Sequence, residues 1–76
     1  MVAFILCKFS PGKEQEAIGK IRRVSAVKDV YMTFGGWDAV VIAEAPTMDK
    51  ISAVVVSGVR GVDGVQSTET LVSASS

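Results

Sequence analysis

Two short segments of the chain carry residue types that would bind a small molecule. The first, Gly35-Gly36-Trp37-Asp38, places two glycines beside a large aromatic and a carboxylate. In a glycine turn, backbone N–H groups would hold a carboxylate, Asp38 would hold an ammonium group and Trp37 would wall the pocket. A hairpin turn followed by a packing tryptophan is the structural alternative, and these residues alone do not decide between the two.

The second segment is a run of five polar residues, Gln66-Ser67-Thr68-Glu69-Thr70, inside an otherwise apolar stretch. Side chains alternate across a strand, so three of them are predicted to share one face: Gln66, Thr68 and Thr70. An exposed strand that uses threonine for its β propensity is the simpler interpretation. If both faces of the sheet are covered, these groups need polar partners, which a ligand or a facing subunit would supply.

The composition excludes several other function classes. The chain has 8 Lys or Arg, 8 Asp or Glu and no His. Its largest basic cluster is Arg22-Arg23, too small for a nucleic-acid surface, which needs several cations on one face. Without His, neither a nucleophile–His arrangement nor a zinc site that relies on Cys7 can be assembled in one chain. We therefore expect no metal, no cofactor and no enzymatic activity.

Membrane and export signals are also missing from the sequence. The longest uncharged stretch, Ile51 to Val59, is nine residues, whereas a membrane-spanning helix needs about 20 apolar residues. The apolar N-terminus has neither a preceding positive segment nor a small-residue cleavage site. We expect a soluble, cytoplasmic protein.

An internal echo at an offset of 35 residues organises the chain; it pairs Pro11 with Pro46 and Val24 with Val59. Each half is predicted to form a strand, a helix and a second strand. In the first half these elements are Val2 to Phe9, Lys13 to Ser25 and Val27 to Phe34. In the second half they are Ala39 to Ala45, a helix from the N-cap Thr47 through Val59, and Gly64 to Val72. A tight turn at Gly35-Gly36 would join the halves.

This order predicts an α+β fold, the ferredoxin-like βαββαβ sandwich, in which a four-stranded antiparallel sheet carries both helices on one face. Residues 1–72 would form the domain and residues 73–76 a flexible tail. Both faces of the first strand are apolar, with Phe4 and Leu6 opposite Ile5 and Cys7. A domain this small has little stability to spare, so we expect two sheets to pack together in a homodimer.

The sequence resembles the effector-binding domain, or RAM domain, of the Lrp/AsnC family of feast/famine transcription regulators. The resemblance covers nearly the whole chain and is carried by four segments: Ala3-Phe4-Ile5-Leu6, Pro11-Gly12, Gly35-Gly36-Trp37-Asp38 and the stretch from Val65 to Val72. It implies a dimeric α/β barrel whose dimers assemble further into a ring, such as an octamer.

The resemblance also implies an effector site between dimers, for an amino acid or a related metabolite. One subunit would contribute Gly35, Gly36, Trp37 and Asp38, and a neighbour would contribute four residues of the polar strand: Gln66, Ser67, Thr68 and Thr70. The family more often has a smaller aromatic at the position of Trp37, which implies a narrowed or retuned pocket.

The family's helix-turn-helix part has no counterpart in these residues, so the resemblance implies a stand-alone module without direct DNA contact. Such a module would modulate transcription by joining full-length Lrp/AsnC regulators. Two alternatives stay open at this point. One is an enzyme of the dimeric α/β-barrel type, and the other is a purely structural oligomer with no ligand.

Overall fold

The computed structural model describes residues 1–74, which form one antiparallel sheet and two helical segments. The elements, in chain order, are β1 (Val2–Phe9), α1 (Glu14–Arg22), β2 (Val27–Met32), β3 (Ala39–Glu44), α2 (Met48–Ala53), a π-helical continuation that we call the π segment (Val54–Arg60), and β4 (Val65–Val72). The strand order is β2-β3-β1-β4, so β2 and β4 are the edges. The predicted α+β, ferredoxin-like fold is confirmed.

The core lies between the helices and one face of the sheet. Alternate residues of β1 point into it, and Ile5 and Cys7 are completely buried. From α1 it receives Ile21, which is also completely buried, and from β3 it receives Val41. The apolar spacing of α1 therefore buries one stripe of the helix, while the acidic first turn and basic last turn suit the helix dipole.

The second helix begins where the sequence predicts but does not remain an α-helix. The Thr47 hydroxyl accepts a hydrogen bond from the Lys50 backbone N–H at 3.2 Å, which confirms Thr47 as the N-cap. The α-helical hydrogen bonding ends at Ala53, and the π segment continues to Arg60. The prediction of one regular helix is wrong here, because the crowded β-branched run that starts at Val54 lies in the wider π-helical turns.

The two halves of the chain repeat in the structure. After the helices, however, the offset between equivalent residues differs from the offset seen in the sequence. Val24 N–H donates to Ile21 O, and Val27 N–H donates to Val24 O, both at 3.0 Å. The same two bonds recur from Val62 to Val59 and from Val65 to Val62, at 3.1 and 3.2 Å. Val24 thus corresponds to Val62, 38 residues later, and pairing it with Val59 is wrong. Three extra residues lie between Pro46 and Val59.

The connection between β2 and β3 is longer than the predicted tight turn. It comprises the six residues 33–38, because β2 ends at Met32 rather than at Phe34. The Thr33 N–H donates to Asp38 O at 2.9 Å, and the Thr33 hydroxyl donates to Trp37 O at 2.6 Å. Within this loop only Gly35, with φ of +113°, uses the left-handed conformation. The connection is therefore a six-residue loop that is closed by the hydrogen bonds of Thr33, and not the predicted two-residue turn at the glycines.

The face of the sheet opposite the helices carries an outer apolar patch. In the strand register Phe4 lies between Ile42 and Leu71, and Leu6 lies beside Val40. Phe4 is 37% exposed and Leu71 is 49% exposed. We use the name outer patch for these five side chains.

The C-terminal end of β4 is anchored to the start of β1. Ser73 N–H donates to Val2 O at 2.9 Å, so the pairing continues one residue past the strand. Residues 75–76, the end of the predicted flexible tail, lie outside the described residues. Within residues 1–74, no helix has both the length and the apolar character required to cross a membrane.

Candidate functional site

Asp38 ties the loop between β2 and β3 to the end of β1. Its Oδ2 accepts a hydrogen bond from the Phe9 backbone N–H at 3.0 Å. Its own backbone N–H donates to Cys7 O at 2.8 Å. The half-buried carboxylate therefore satisfies a main-chain donor where β1 leaves the sheet, so this side chain has a structural task whether or not a ligand is present.

Trp37 and the two glycines complete this loop. The Nζ of Lys8 lies 5.8 Å from the centroid of the Trp37 ring, a cation–π distance. Gly35 and Gly36 are exposed, and a Cβ added to either would meet nothing within 4 Å. The loop therefore requires glycine at position 35 because of its positive φ. Gly36 has neither a positive φ nor a close neighbour.

The polar strand lines a cavity of about 590 Å³ between β4 and the π segment. All four residues predicted from this strand belong to the lining: Gln66, Ser67, Thr68 and Thr70. A β-bulge leaves Gln66 outside the residue pairing with β1, because Lys8 pairs with Ser67 while Phe9 pairs with Val65. Alternation along the strand separates Ser67 from Thr68, yet both line this cavity, which opens at an edge strand beside the bulge.

Arg60 also lines the cavity and was not predicted from the sequence. It ends the π segment, and its side chain is exposed. Within residues 1–74 its guanidinium forms no hydrogen bond or salt bridge. A basic residue at a helix C-terminus is ordinarily explained by the helix dipole, so only the packing of the π segment beside β4 makes Arg60 a candidate site residue.

A second cavity of about 280 Å³ continues along the same strand. It shares Val55, Arg60 and Thr70 with the first, and its other lining residues are mostly apolar: Met48, Ile51, Ser52, Val56 and Val72. We call the two cavities together the β4 groove. One end of the groove is polar, the other is apolar, and the guanidinium lies where they meet.

The structure does not bring the two predicted segments together within one chain. In the register of β1, Cys7 pairs with Ala39 on one side and with Thr68 on the other. The loop at residues 35–38 and the polar strand therefore flank β1 from opposite sides. None of Gly35, Gly36, Trp37 and Asp38 lines either cavity of the groove.

Of the other titratable groups, two form a salt bridge with each other and a third, the thiol of Cys7, is unreactive. Lys13 Nζ and Asp63 Oδ2 form a 3.0 Å salt bridge, whose hydrogen bond raises the pKa of Lys13 and lowers that of Asp63. Burial raises the pKa of the Cys7 thiol to about 11. The thiol is therefore protonated at neutral pH and is a poor nucleophile.

Comparison with known proteins agrees with this fold. Residues 2–76 match the family model described as the Lrp/AsnC ligand binding domain. Over 74 residues the chain is 31% identical to the HTH-type transcriptional regulator PH1916 of Pyrococcus horikoshii, covering 93% of this chain and 49% of that protein. The chain thus spans about half the length of the curated relatives it matches.

Solved structures give the same assignment of fold. The crystal structure of FFRP-DM1 superposes with a TM-score of 0.89 at 29% identity, over 95% of this chain and 96% of that one. Escherichia coli AsnC has a TM-score of 0.91 at 24% identity, over 99% of this chain and 51% of that one, and shares the fold. Because the family model matches nearly the whole of this chain, residues 2–76, the chain belongs to the Lrp/AsnC family and contains its ligand-binding domain.

Proposed function

We propose that this domain is an effector-binding module that takes up an amino acid or a related metabolite and modulates Lrp/AsnC-type transcription regulators. The observation that carries the proposal is the β4 groove, whose lining includes every polar-strand residue nominated from the sequence. Regulators of this family are oligomeric and bind amino-acid effectors, which supports the assignment. The named relatives are regulators, which supports a cytoplasmic, non-enzymatic role.

The chemistry of the groove suits a small carboxylate. Its larger cavity, about 590 Å³, lies within the range of about 300–1,000 Å³ typical of small-molecule sites. The guanidinium of Arg60 would bind the carboxylate with paired N–H donors. The hydroxyls of Thr68 and Thr70 and the amide of Gln66 would serve the remaining polar groups of the effector.

We further propose that two copies pack through the outer patch to form a homodimer, and that dimers then form a higher oligomer such as a ring. Phe4 is 37% exposed and Leu71 is 49% exposed, so completing their burial would contribute about a third to a half of the roughly 1.5–3 kcal/mol that full burial of such a side chain is worth, which still matters in a small domain. The same face would allow a full-length regulator of the family to pair with this module.

In that assembly the loop at residues 35–38 would lie against the groove of a neighbouring dimer. This arrangement would bring Trp37 and the backbone of Gly35 and Gly36 to the effector without requiring the two segments to meet within one chain. Because Asp38 already accepts a hydrogen bond from Phe9, its second oxygen would be the one that faces the effector.

Thermal unfolding with each of the twenty amino acids at millimolar concentration tests the proposal. A ligand that binds the folded form raises the melting temperature, by an amount that grows with ligand concentration. We expect one chemical class to stabilise the protein, and the double change Thr68→Val and Thr70→Val to abolish this effect. Valine has the shape of threonine, so the melting temperature without ligand serves as the control. If no amino acid raises the melting temperature, the proposed amino-acid effector is wrong, and a different metabolite or a structural oligomer without a ligand becomes the better interpretation.

A further inference from the structure

The loop at residues 33–38 presents an aromatic side chain to solvent. Phe34 is fully exposed there, and the last two residues of β2, Tyr31 and Met32, are each more than half exposed. Three large apolar or aromatic side chains therefore project from the surface where β2 joins its loop. Aromatic residues and methionine are enriched at protein–protein contacts, and a cluster of them on a surface marks such a contact.

The apolar end of the β4 groove has the size and the lining to receive a phenyl ring. Its cavity of about 280 Å³ is lined by five apolar side chains: Met48, Ile51, Val55, Val56 and Val72. Apolar cavities of about 150 Å³ hold a benzene-sized ring. An aromatic side chain that fills an apolar pocket is also a common anchor of a protein–protein contact. The chain thus carries both an exposed ring and a cavity that fits one.

The first half of the chain shows how its own side chains can protect the corresponding sheet edge. Arg22 Nη2 donates to the Val30 carbonyl at 3.1 Å, and the Val30 N–H donates to Asp29 Oδ1 at 2.9 Å. Proteins commonly protect edge strands in such ways. At the offset of 38 residues Arg60 replaces Arg22 and Ser67 replaces Asp29, and in the described part of the chain neither side chain forms the equivalent bond. The edge beside the groove is therefore left for a partner.

A second copy of this chain is the partner that these features fit. The loop and the groove flank β1 from opposite sides, so they can meet only between chains. Their charges are complementary, since Asp38 is the charged residue of the loop and, of the described residues that line the groove, Arg60 carries the charge. Lys8, which approaches the loop, lies over the Trp37 ring. A neighbouring copy therefore offers the groove an apolar and a charged counterpart at once.

We infer that Phe34 of one dimer inserts into the apolar end of the β4 groove of the next dimer. The inference rests on the proposed function, because it names the residue that anchors the neighbouring loop at the effector site. The two cavities of the groove adjoin at Arg60 and Thr70, so an anchored Phe34 leaves the residues that follow it beside the larger, polar cavity. Each copy offers both the ring and the cavity, so the contact can repeat from dimer to dimer and close a ring.

Sedimentation velocity of the full chain at micromolar concentrations tests the contact. We expect species larger than a dimer. Phe34→Ala should raise the concentration needed for this further assembly at least about tenfold, while the dimer formed through the outer patch persists. Phe34→Leu keeps an apolar side chain and should have a smaller effect. Phe34 is exposed, so neither change removes a core contact.

A matched pair of changes tests the cavity. Ser52 lines the apolar end of the groove, whereas Ser57 is exposed on the π segment and lines neither cavity. Ser52→Leu should fill the cavity and act like Phe34→Ala, and Ser57→Leu should leave the assembly unchanged. Equal effects of the two serine changes would overturn the inference.

A photoreactive residue at position 34 locates the contact directly. Phe34→4-azidophenylalanine keeps the aromatic ring, and on illumination it reacts with the side chains around it. Mass spectrometry of the cross-linked peptides should show a bond to residues 48–56 of another copy. A cross-link to any other segment, or one within the same copy, would overturn the inference.

The outcomes separate the inference from the proposed function. An original protein that never exceeds a dimer, or a larger species that Phe34→Ala leaves unchanged, would overturn the inference, while a melting-temperature shift with an amino acid would still support the effector module. Assembly that depends on Phe34, without a shift for any amino acid, would support the inference and overturn the proposed amino-acid effector.

Discussion

The carboxylate of Asp38 and the backbone N–H of Phe9 are joined by a 3.0 Å hydrogen bond, although 29 residues separate them in the chain. The bond links the loop after β2 to the last residue of β1. It makes Asp38 part of the scaffold, and any test of Asp38 as a ligand contact must keep this bond intact.

Asp38→Ala should therefore destabilise the fold even in the absence of ligand. The change leaves the part-buried Phe9 N–H without its side-chain acceptor, at a cost of about 1–3 kcal/mol. Asp38→Asn keeps an acceptor oxygen and removes the charge, so it should cost less. Urea unfolding of the two variants measures the difference. Equal stability of Asp38→Ala and the original protein would contradict the assignment.

Gly64 should tolerate a side chain less well than Gly12, although both have positive φ, +99° and +83°. A Cβ at Gly64 would lie 3.0 Å from Lys13 Cβ, whereas one at Gly12 would meet nothing within 4 Å. Alanine at Gly12 should cost about 1–2 kcal/mol for the left-handed backbone alone. Alanine at Gly64 should cost more because of the added contact. Denaturant midpoints for the two variants provide the comparison, and a smaller loss at Gly64 would refute it.

The salt bridge between Lys13 and Asp63 should leave a signature in the pH dependence of stability. The pKa of Asp63 is lowered in the folded state from its ordinary 3.8, so the ionised Asp63 stabilises the fold at pH values above 3.8. The contribution is lost as the pH falls through the lowered pKa. The difference in melting temperature between the original protein and Asp63→Asn should therefore shrink on acidification below 3.8. Both side chains are exposed, so the effect should be small and should weaken further in high salt.

Cys7 should resist alkylation while the protein is folded. Its thiol is completely inaccessible, and burial raises its pKa to about 11. Iodoacetamide at pH 8 should react slowly with the native protein and much faster once urea has unfolded it, because the thiolate is the reacting species. Mass spectrometry would follow the modification. Equal rates in the two states would show that β1 opens readily.

Phe4→Arg should convert the proposed dimer to monomers. A guanidinium in the outer patch would have to lose its hydration when two sheets pack together, which is costly. Phe34→Arg is the matched control, since Phe34 is fully exposed on the loop between β2 and β3 and lies outside the patch. Sedimentation velocity at micromolar concentration distinguishes the two. A dimer that survives Phe4→Arg would place the interface elsewhere.

Much of the fold could be predicted because local signals and packing agree. The run from Val2 to Phe9 is predicted with the bounds that the structure gives, because apolar residues extend over nearly the full strand. The N-cap Thr47 is equally local. The π segment could not be predicted, because helical spacing fits both an α-helix and a π-helix when only Val55 and Val59 are considered.

The candidate site was only half accessible to sequence reasoning. A polar run inside an apolar strand drew attention to Thr68 and Thr70, and both line the groove. Arg60 carries no such signal, because its position beside β4 depends on the second helical segment, which is four residues longer than α1. The bulge at Gln66 is likewise a property of the strand pairing rather than of the sequence.

The longer second helix shows how a duplicated unit can diverge without losing its frame. The turns after both helices keep the same hydrogen bonds, so the strands that follow start in the same way. The extra residues of the second half lie before its turn, in the helical segment that packs beside the edge strand β4. In the first half Arg22 is hydrogen-bonded to the backbone of an edge strand, whereas the helical wall of the second half can vary without disturbing the sheet.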